Sequence, residues 1–396
     1  MNQKLKVAVF NTQPPHLYFG GVERRILETS KRMVNGFDTT VYSGTKKGFN
    51  KTAVIDGTTL VPCRSTDMIY PLDNWVFNRT ISKMVNTIKA DIYEAHTVSG
   101  YKLLKTLKKR KISKPFIQTV HGVLADEYLQ SSKSVSPSFR LKLSNVFMRH
   151  LAKIEKQAAR DASLIVTVSR YSFQKIVQLY GVAENKIRIV PNGVDLKRFK
   201  PTNDYENVKA QICANSKHMV LFVGNLIPRK GLHYLIEAAK YVIKEHNETN
   251  FVIVGNGPLK NNLISYSQEQ GVSDRFTFLD DVSDDALPQI YNCADVFVSP
   301  SIQEGQGISM LEAQATAKPV VAFNVSAITE VIKHKETGLL VEPDSNDLAN
   351  AISYLLSNKS LREKMGRSGR DFVSKTFSWD VCAQKMSKVY SEATEH

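Results

Sequence analysis

The sequence has 396 residues, a length that predicts two or three domains. Its residues are 42% hydrophobic and 23% charged, which excludes a fibrous or disordered chain, and no apolar run approaches the roughly 18 residues of a membrane-spanning helix. The formal net charge of +15 is concentrated in residues 1–195, where 31 residues are basic and 14 are acidic, and this asymmetry predicts an anionic partner.

Short β-branched runs alternate with helical patterns along the chain. In the first half the predicted strands are residues 5–10, 39–42, 91–95, 116–120, 164–168 and 187–190. In the second half they are residues 219–223, 251–254, 276–279, 296–299, 319–322 and 339–341. These runs are apolar without polar alternation, as expected of parallel strands covered on both faces. The pattern therefore predicts an α/β protein with doubly wound parallel sheets.

A glycine pair, Gly20 and Gly21, follows the first predicted strand and precedes a helix that begins near Val22. Glycine lets backbone amides approach a phosphate closely, and the amino terminus of a helix adds positive potential. The pair therefore indicates either a phosphate contact or a plain tight turn.

The densest basic run lies on a helical pattern of Leu103, Leu104 and Leu107, which predicts an amphipathic helix with a basic face. Its cations are Lys102, Lys105, Lys108, Lys109, Arg110, Lys111 and Lys114. A second helical stretch, residues 139–160, has basic residues around an apolar side formed by Leu143, Val146, Phe147, Leu151 and Ile154. We favour an anionic membrane surface as the partner over a merely solvated surface. Nucleic acid is disfavoured because no nucleic-acid-binding motif accompanies the charge.

The succession Pro191-Asn192-Gly193 ends a strand and permits a turn, so we place the domain boundary there. Residues 1–192 form one predicted domain and residues 193–378 the other, and a last helical pattern begins at Trp379. Two such domains have a cleft between them, and open α/β sheets bind ligands at the carboxyl ends of their strands.

Three segments of the second half place candidate ligand-binding groups after predicted strands. Residues 224–231 bring Arg229 and Lys230 to a strand end, where two cations can bind a diphosphate. Residues 254–258 are similar to a dinucleotide fingerprint, but Lys260 stands where a third glycine is needed, which disfavours a nicotinamide dehydrogenase.

The strongest segment, residues 299–313, has Glu304 before a glycine-rich turn and Glu312 on the helix that follows. Carboxylates accept hydrogen bonds from sugar hydroxyls, and the free amides at the helix start bind anions or hydroxyls. The two glutamates are eight residues apart, too far for a helical i,i+4 pair, so a shared ligand explains them better than a cap and a surface residue do.

In chain order these segments resemble the retaining glycosyltransferases of family 4, which have the GT-B fold. The resemblance covers nearly the whole chain. The stretches that carry it are Gly20-Gly21, Thr119-Val120-His121-Gly122, Val168-Ser169-Arg170-Tyr171, Pro191-Asn192-Gly193-Val194-Asp195, Lys230-Gly231, Gly255-Asn256-Gly257-Pro258, Glu304 with Glu312, and Phe377-Ser378-Trp379. It implies two Rossmann-like domains that face a deep cleft, with the last helix, residues 379–396, packed back onto the first.

The resemblance also implies a role for individual residues. Lys230 would bind the donor diphosphate with help from the Gly21 amide, and Glu312 would hold the ribose hydroxyls. Glu304 would hold the donor sugar, Val282 would lie near the base, and His121 would lie under the reacting carbon. The other implied donor-site residues are Gly20, Asn225, Arg229, Gly255, Gly305, Gln306, Gly307 and Ile308.

Two positions depart from the family pattern. Asn225 stands where an arginine is usual, which puts one diphosphate contact in doubt and makes Arg229 its candidate replacement. Gln306 stands where an aromatic or aliphatic residue is commoner, so it is a candidate determinant of the choice of donor sugar.

The implied reaction is the retaining transfer of a hexose from a nucleotide diphosphate sugar to a hydroxyl of a glycan or lipid-linked acceptor. GDP-mannose, UDP-glucose and UDP-N-acetylhexosamine are all open as donors. No cofactor or metal is implied, and we disfavour reading the doublets Asp280-Asp281 and Asp284-Asp285 as a metal site. The leaving phosphate would take the proton of the acceptor, so no carboxylate base is expected in the first domain. His96 and His150 are interpreted as structural or surface residues.

The alternatives are a sugar-nucleotide epimerase of the same fold and a non-enzymatic nucleic-acid-binding protein. The amino terminus lacks the apolar segment of a secretory signal, and the cysteines are too far apart for a paired-cysteine motif. They are Cys63, Cys213, Cys293 and Cys382. Free thiols are typical of a reducing compartment, so we expect a cytoplasmic protein that is peripheral on the inner face of the cytoplasmic membrane.

Overall fold

The computed structural model describes residues 4–18, 20–66, 68, 70–131, 139–213, 216–280 and 282–395. The chain separates into two compact units. The first contains Met1–Asn192 together with Trp379–His396, and the second contains Gly193–Ser378. Across the described residues, no helix is both long enough and apolar enough to cross a bilayer.

The first unit is built on an eight-stranded sheet. Its strands are β1 Leu5–Phe10, β2 Phe37–Gly44, β3 Ala53–Ile55, β4 Thr58–Cys63, β5 Ile92–His96, β6 Phe116–Val120, β7 Leu164–Thr167 and β8 Ile187–Ile189. The order across the sheet is β3-β4-β2-β1-β5-β6-β7-β8, and every neighbouring pair except β3 and β4 is parallel. The six strands predicted for this half of the chain are confirmed.

The hairpin of β3 and β4 was not predicted. Asp56 and Gly57 connect its strands with φ angles of 47° and 76°. Two positive φ angles are what a two-residue type I′ turn requires, and Asp-Gly is one of its preferred sequences. The dipeptide was therefore the signal in the sequence that could have revealed this hairpin.

Helices cover both faces of the first sheet. They are α1 Gly21–Met33, α2 Tyr70–Lys83, α3 Tyr101–Lys109, α4 Leu124–Ser131, α5 Phe139–Asp161 and α6 Arg170–Lys175. Successive residues of a strand point to opposite faces. Accordingly, Val7 and Val9 of β1 pack with α1, whereas Ala8 and Phe10 pack with α2, α3 and α5.

The predicted basic helix forms, but it is shorter than the basic run. Leu103, Leu104 and Leu107 of α3 are buried, as the amphipathic pattern predicts. The helix ends at Lys109, so Arg110, Lys111 and Lys114 lie beyond it, which corrects the prediction. The reason is a Schellman-type ending, in which Lys111 has a φ of 55° and the amide of Ile112 donates to the carbonyl of Leu107.

The second unit has a six-stranded, entirely parallel sheet. Its strands are β9 His218–Val223, β10 Thr249–Val254, β11 Phe276–Leu279, β12 Val296–Ser299, β13 Val320–Phe323 and β14 Gly338–Val341. The order is β11-β10-β9-β12-β13-β14. Its helices are α7 Glu206–Ile212, α8 Leu232–Glu245, α9 Lys260–Glu269, α10 Leu287–Cys293, α11 Ile308–Ala315, α12 Ile328–Val331, α13 Ser345–Ser357 and α14 Lys359–Thr376. The six strands predicted for this half are confirmed as well.

The last helix, α15 Trp379–Glu395, belongs to the first unit. Trp379, Met386 and Tyr390 are buried in the same core as α1 and β1. Ion pairs of Arg32 with Asp380 and of Arg188 with Glu392 flank this packing.

In each sheet the chain order reverses at one strand. β1 lies between β2 and β5, and β9 lies between β10 and β12. The carboxyl ends of the strands beside such a reversal form a crevice, where ligands bind in open α/β sheets. The loops that follow these strands are therefore where a site is expected in each unit.

Candidate functional site

The predicted donor-site residues of the second half follow four neighbouring strands of the second sheet. Asn225 and Lys230 come after β9, Gly255 after β10, Val282 after β11 and Glu304 after β12. Because the carboxyl ends of parallel strands lie at one edge of a sheet, the structure brings these segments to a common edge.

Gly231 explains how the loop after β9 reaches the loop after β12. It has a φ of 62°, and a Cβ atom there would lie 2.1 Å from the carbonyl oxygen of Pro300. Only glycine allows this approach of the two backbones. The amide of Ile302 also donates to the carbonyl of Arg229 at 2.9 Å, so the two loops are fixed to each other.

Glu304 lies between two cations. Lys230 Nζ bonds its Oε1 atom, and Arg229 Nη1 lies 3.1 Å from its Oε2 atom. Ser301 Oγ donates to Oε1 at 2.8 Å, and Arg229 also donates to the carbonyl of Gln303 at 3.0 Å. Lys230, which is predicted to bind the diphosphate, and Glu304, which is predicted to bind the donor sugar, therefore belong to one ion cluster.

Glu304 is buried between the two half-buried cations, and the charges of the cluster determine its ionisation. The side chain of Glu304 is only 7% exposed. Burial alone would raise the pKa of this carboxyl, but the charges of Lys230 and Arg229, with hydrogen bonds from Lys230 and Ser301, outweigh burial and lower the pKa to about 2. Glu304 is therefore ionised at neutral pH.

Glu312 lies on α11, directly after the turn that contains Gly305, Gln306 and Gly307. It is buried, and Tyr291 Oη of α10 donates to its Oε2 atom at 2.8 Å. Gly307 precedes the helix with a φ of 89°, and Ile308 is the first helical residue. Gln306 is buried too, so a polar side chain at this position lies inside the protein and not in solvent.

Asn225 and Val282, which were also predicted for this edge, lie outside the ion cluster. Asn225 is exposed, and its carbonyl accepts a hydrogen bond from the amide of Ile227 at 3.0 Å. Its side chain is not part of the ion cluster, whereas Arg229 is. Val282 is half-buried and packs on the core of the second sheet.

One aspartate of each doublet is held in an ion pair. Asp280 pairs with Lys260, and Asp284 pairs with Arg198 at 2.7 Å. Asp281 lies outside the described residues. Among the residues that are described, no group of three or more acidic, histidine or cysteine side chains is placed to hold a metal ion.

In the first unit, Gly20 and Gly21 stand at the start of α1, as predicted. The sequence interpretation missed the acidic side chain beside them. A Cβ atom on Gly20 would lie 2.4 Å from Oε2 of Glu23, and Asn11 Nδ2 donates to the other carboxylate oxygen at 3.0 Å. Burial raises the pKa of Glu23, against the hydrogen bonds that it accepts. The sequence predicted either a phosphate contact or a plain tight turn at this glycine pair. The structure shows that the carboxyl group of Glu23 lies beside it.

His121 follows β6 and is half-buried. Its Nε2 atom lies 2.8 Å from Nδ1 of His96, the last residue of β5. The interpretation of His96 as a structural or surface residue therefore left out its contact with a predicted catalytic residue. Glu94, two residues earlier, was missed altogether. The available signal was the presence of Glu94 and His96 in a strand that is otherwise apolar and covered on both faces.

The predicted membrane-surface cations are largely exposed. Lys105, Lys108, Lys109, Arg110 and Lys111 are exposed, whereas Lys102 is half-buried. Lys108 forms an ion pair with Asp161, and Lys102 Nζ lies 4.6 Å from the centroid of the Trp75 ring.

Apolar side chains are also exposed on α2 and α5, two helices that pack against α3. Trp75 of α2 is 44% exposed, and Val146 and Phe147 of α5 are 65% and 46% exposed. The predicted apolar side of the second basic helix is thus only partly covered, and the side chain of Leu143 lies outside the described residues. His150 is exposed on the same helix.

Two family models match the chain, one for most of each unit. The model described as Glycosyltransferase Family 4 matches residues 19–198. The model described as Glycosyl transferases group 1 matches residues 204–372.

Several relatives of known sequence are similar to this chain. It is 30% identical to an uncharacterized glycosyltransferase of Methanocaldococcus jannaschii, over 71% of this chain and 70% of that protein. It is 32% identical to the GDP-mannose-dependent alpha-(1-6)-phosphatidylinositol monomannoside mannosyltransferase of Mycobacterium tuberculosis, over 57% of this chain and 61% of that protein. A third relative is the UDP-Gal:alpha-D-GlcNAc-diphosphoundecaprenol alpha-1,3-galactosyltransferase of Escherichia coli, at 28% identity over 83% of this chain and 81% of that protein.

Solved structures share the fold over almost the whole chain. Sucrose-phosphate synthase from Thermosynechococcus elongatus matches with a TM-score of 0.84 and 20% identity, over 98% of this chain and 99% of that chain. Anabaena HepE in complex with UDP and glucose matches with a TM-score of 0.77 and 20% identity, over 98% of this chain and 100% of that chain.

The position of Glu304 between two cations predicts an acid-sensitive contribution to stability. In the unfolded chain the pKa of its carboxyl returns to 4.5, whereas in the folded protein it is about 2. The unfolded state therefore binds more protons between these values, and the stabilisation by Glu304 is lost as the pH falls from about 5 towards 2. Relative to Glu304→Gln, which does not titrate, the free energy of unfolding should fall by up to about 3 kcal/mol over this range.

Urea unfolding of the wild type and of Glu304→Gln at a series of pH values measures this difference. Glu336→Gln is the matched control, because it removes a carboxylate from an exposed ion pair with Lys333. A gap between wild type and Glu304→Gln that does not change with pH would contradict the prediction.

Proposed function

The chain belongs to the glycosyltransferases of family 4 and has their GT-B fold, and we propose that it moves a hexose, with retention, from a GDP- or UDP-linked sugar to a hydroxyl of a lipid-linked acceptor. The observation that carries the proposal is the ion cluster of Lys230 and Arg229 with the buried Glu304 at the carboxyl edge of the second sheet. The relatives described above are named as glycosyltransferases, so the epimerase and nucleic-acid-binding alternatives are not favoured.

The cluster fits a donor because it pairs two cations with one acceptor of hydrogen bonds. Without a ligand, Glu304 neutralises part of the charge of Lys230 and Arg229. When a sugar diphosphate binds, its phosphates take over the two cations, and the carboxylate of Glu304 accepts hydrogen bonds from the sugar hydroxyls. Glu312 accepts hydrogen bonds from the ribose, held in position by Tyr291.

The same charges then assist bond cleavage. The anomeric carbon becomes cation-like as the diphosphate leaves, and the diphosphate gains negative charge beside Lys230 and Arg229. Cations that are already in position stabilise this charge at no cost in reorganisation. In the proposed front-side reaction, the acceptor oxygen forms the new bond on the face that the phosphate leaves, and the departing phosphate oxygen takes its proton. The proposal includes no metal ion, because the two cations supply the positive charge that the leaving group requires.

The names of the relatives support a lipid-linked acceptor and leave the donor base open. One of them uses GDP-mannose and acts on a phosphatidylinositol mannoside, and another uses UDP-Gal and acts on a sugar diphosphoundecaprenol. The HepE structure holds UDP and glucose. A panel of GDP- and UDP-linked hexoses therefore has to identify the donor, and the correct one is expected to raise the melting temperature by mass action.

We predict that Lys230→Ala and Glu312→Ala each abolish transfer while the protein stays folded. Lys230→Ala removes a preorganised group that stabilises the leaving charge, a loss that costs about 100- to 1,000-fold in kcat. Glu312→Ala removes the carboxylate that accepts hydrogen bonds from the ribose. Lys209→Ala is the control, because it removes a lysine from an ion pair with Asp295 at the opposite end of the sheet. Thermal unfolding verifies the fold, and transfer of radiolabelled sugar measures kcat. Wild-type activity in either variant contradicts the assignment of the donor site.

We also propose that the first unit binds an anionic membrane surface through α3 and the exposed apolar residues beside it, on the inner face of the cytoplasmic membrane. Basic residues near a bilayer are attracted to anionic lipids by about 1 kcal/mol each. Trp75 and Phe147 add apolar area that a bilayer interface can bury. This position would bring the enzyme to an acceptor that is itself anchored in the membrane.

We predict that replacing Lys105, Lys108, Lys109 and Arg110 by glutamine weakens binding to phosphatidylglycerol vesicles at least about tenfold. Lys108 is expected to contribute less than the others, because Asp161 already neutralises it. The control replaces four exposed cations of α14, which are Lys359, Lys364, Arg367 and Lys375. Vesicle co-sedimentation at constant ionic strength measures the difference, and equal weakening by both sets would show that only net charge matters.

A further inference from the structure

A line of hydrogen-bonding side chains leads to His121 through the interior of the first unit. Tyr390 Oη of α15 donates to Oε2 of Glu94, and Thr119 Oγ1 donates to Oε1 of Glu94 at 2.6 Å. The same Oε1 atom lies 3.4 Å from Nε2 of His96. On the other side of its ring, His96 Nδ1 lies 2.8 Å from Nε2 of His121.

Sheet register and burial fix this arrangement. His96 on β5 is paired with Thr119 on β6, and His121 follows two residues later. The rings of His96 and His121 are stacked, with centroids 5.1 Å apart and planes at 21°. Glu94, His96 and Tyr390 are each buried.

The interior also sets the charges of these groups. Burial raises the pKa of Glu94, while the hydrogen bonds of Thr119 and Tyr390 and the charge of Arg25 act to lower it. Burial lowers the pKa of His96 to about 3 and lowers that of His121 well below its ordinary value. Both imidazole rings are therefore neutral at neutral pH.

Neutral imidazole has one N–H donor and one acceptor nitrogen, so each contact constrains the next. The hydroxyls of Tyr390 and Thr119 donate to the two oxygens of Glu94, and His96 Nε2 faces Oε1. A carboxylate in its ionised form can only accept hydrogen bonds from these three groups. His96 must then carry its proton on Nε2, which leaves Nδ1 as an acceptor. The facing Nε2 of His121 is the donor of that contact, and its Nδ1 keeps a lone pair. In the described part of the chain, no protein group hydrogen-bonds His121 Nδ1.

We propose that Glu94, in its ionised form, and His96 are positioning residues that hold His121 as the neutral Nε2–H tautomer, so that its Nδ1 atom accepts a hydrogen bond from a hydroxyl of the donor sugar. The part of this inference that concerns the sugar rests on the proposed function. A neutral acceptor suits the place predicted for His121, because a protonated ring there would repel the cation-like anomeric carbon. The arrangement resembles other sites in which a carboxylate fixes the tautomer of a working histidine.

The tautomers can be measured without any donor. In protein labelled with ¹⁵N-histidine, long-range ¹H–¹⁵N correlation spectra distinguish Nε2–H from Nδ1–H rings, and the signals are assigned through His96→Asn and His121→Ala. We expect Nε2–H for both rings in the wild type and a mixture at His121 in Glu94→Gln, because an amide can donate as well as accept. An Nδ1–H ring at His121 in the wild type would overturn the proposal.

Glu155→Gln is the matched control for Glu94→Gln. Glu155 is also a buried carboxylate of the first unit, and it accepts hydrogen bonds from Tyr180 Oη and from the amide of Leu124 at 3.0 Å. It therefore reproduces the replacement of a buried carboxyl group next to a tyrosine without touching either histidine. The histidine spectra should be unchanged in this variant.

Kinetics test whether Glu94 acts through His96. Glu94→Gln should lower kcat about 10- to 100-fold, the range for removing a group that orients a ligating histidine, with little change in the KM for the donor. His96→Asn places an amide oxygen near the position of Nδ1 and should keep most of the activity, whereas His96→Ala should lose it. In the His96→Asn background, Glu94→Gln should cost nothing further.

The outcomes separate this inference from the proposed function. An equal loss from Glu94→Gln in both backgrounds, or an equal loss from Glu155→Gln, would reduce Glu94 to a structural role. If Glu94→Gln does not fold, the comparison of His96→Asn with His96→Ala decides, and equal loss in both overturns the proposal. If the tautomers are as expected but the wild type transfers no hexose from any donor of the panel, the proposed function fails while the assignment of His121 stands.

Discussion

The ion cluster of Glu304 with Lys230 and Arg229 is the interaction on which the arrangement of the second unit depends. Burying the carboxylate of Glu304 is costly unless it is paired and hydrogen-bonded. The pairing requires the loops after β9 and β12 to lie in contact, and the absence of a side chain at Gly231 permits this contact. The contact between the two loops and the pairing of the charges therefore depend on each other. Together they place a carboxylate and two cations at the sheet edge. An anionic ligand can bind the cations there in place of the carboxylate.

In the first unit, the buried guanidinium of Arg25 is held by hydrogen bonds to neutral groups. Arg25 is buried and donates to the carbonyl of Val190 at 2.8 Å and to Asn192 Oδ1 at 3.0 Å. Burial raises the pKa of Glu94, and the charge of Arg25 acts against this rise without a direct contact. In both units, polar groups lie at or just after the carboxyl ends of strands, as His96 does at β5 and Glu304 does after β12. The same sheet geometry thus places an ion cluster at the edge of the second sheet and a pair of neutral histidines at the edge of the first.

The sequence predicted those features that depend on local pattern. Twelve apolar runs identified twelve of the fourteen strands found in the described residues, and the motifs around Lys230, Glu304 and Glu312 identified the segments at one sheet edge. Features that depend on distant contacts were missed. Glu94 and His96 gain their meaning from the pairing of β5 with β6 and from Tyr390, which is 296 residues away from Glu94. The ion pair of Lys108 with Asp161 and the exposure of Phe147 likewise depend on how helices pack, which periodicity does not reveal.

Helix α15 has a consequence for biosynthesis. Trp379, Met386 and Tyr390 complete the core of a unit whose other residues all precede Gly193. A ribosome therefore makes the whole of the second unit before it makes the helix that finishes the first. During that interval the nascent first unit exposes the apolar surface that α15 later covers, and Glu94 lacks its tyrosine. The ribosome completes the second unit before it completes the first. The second unit can therefore fold earlier, although most of the first unit comes before it in the sequence.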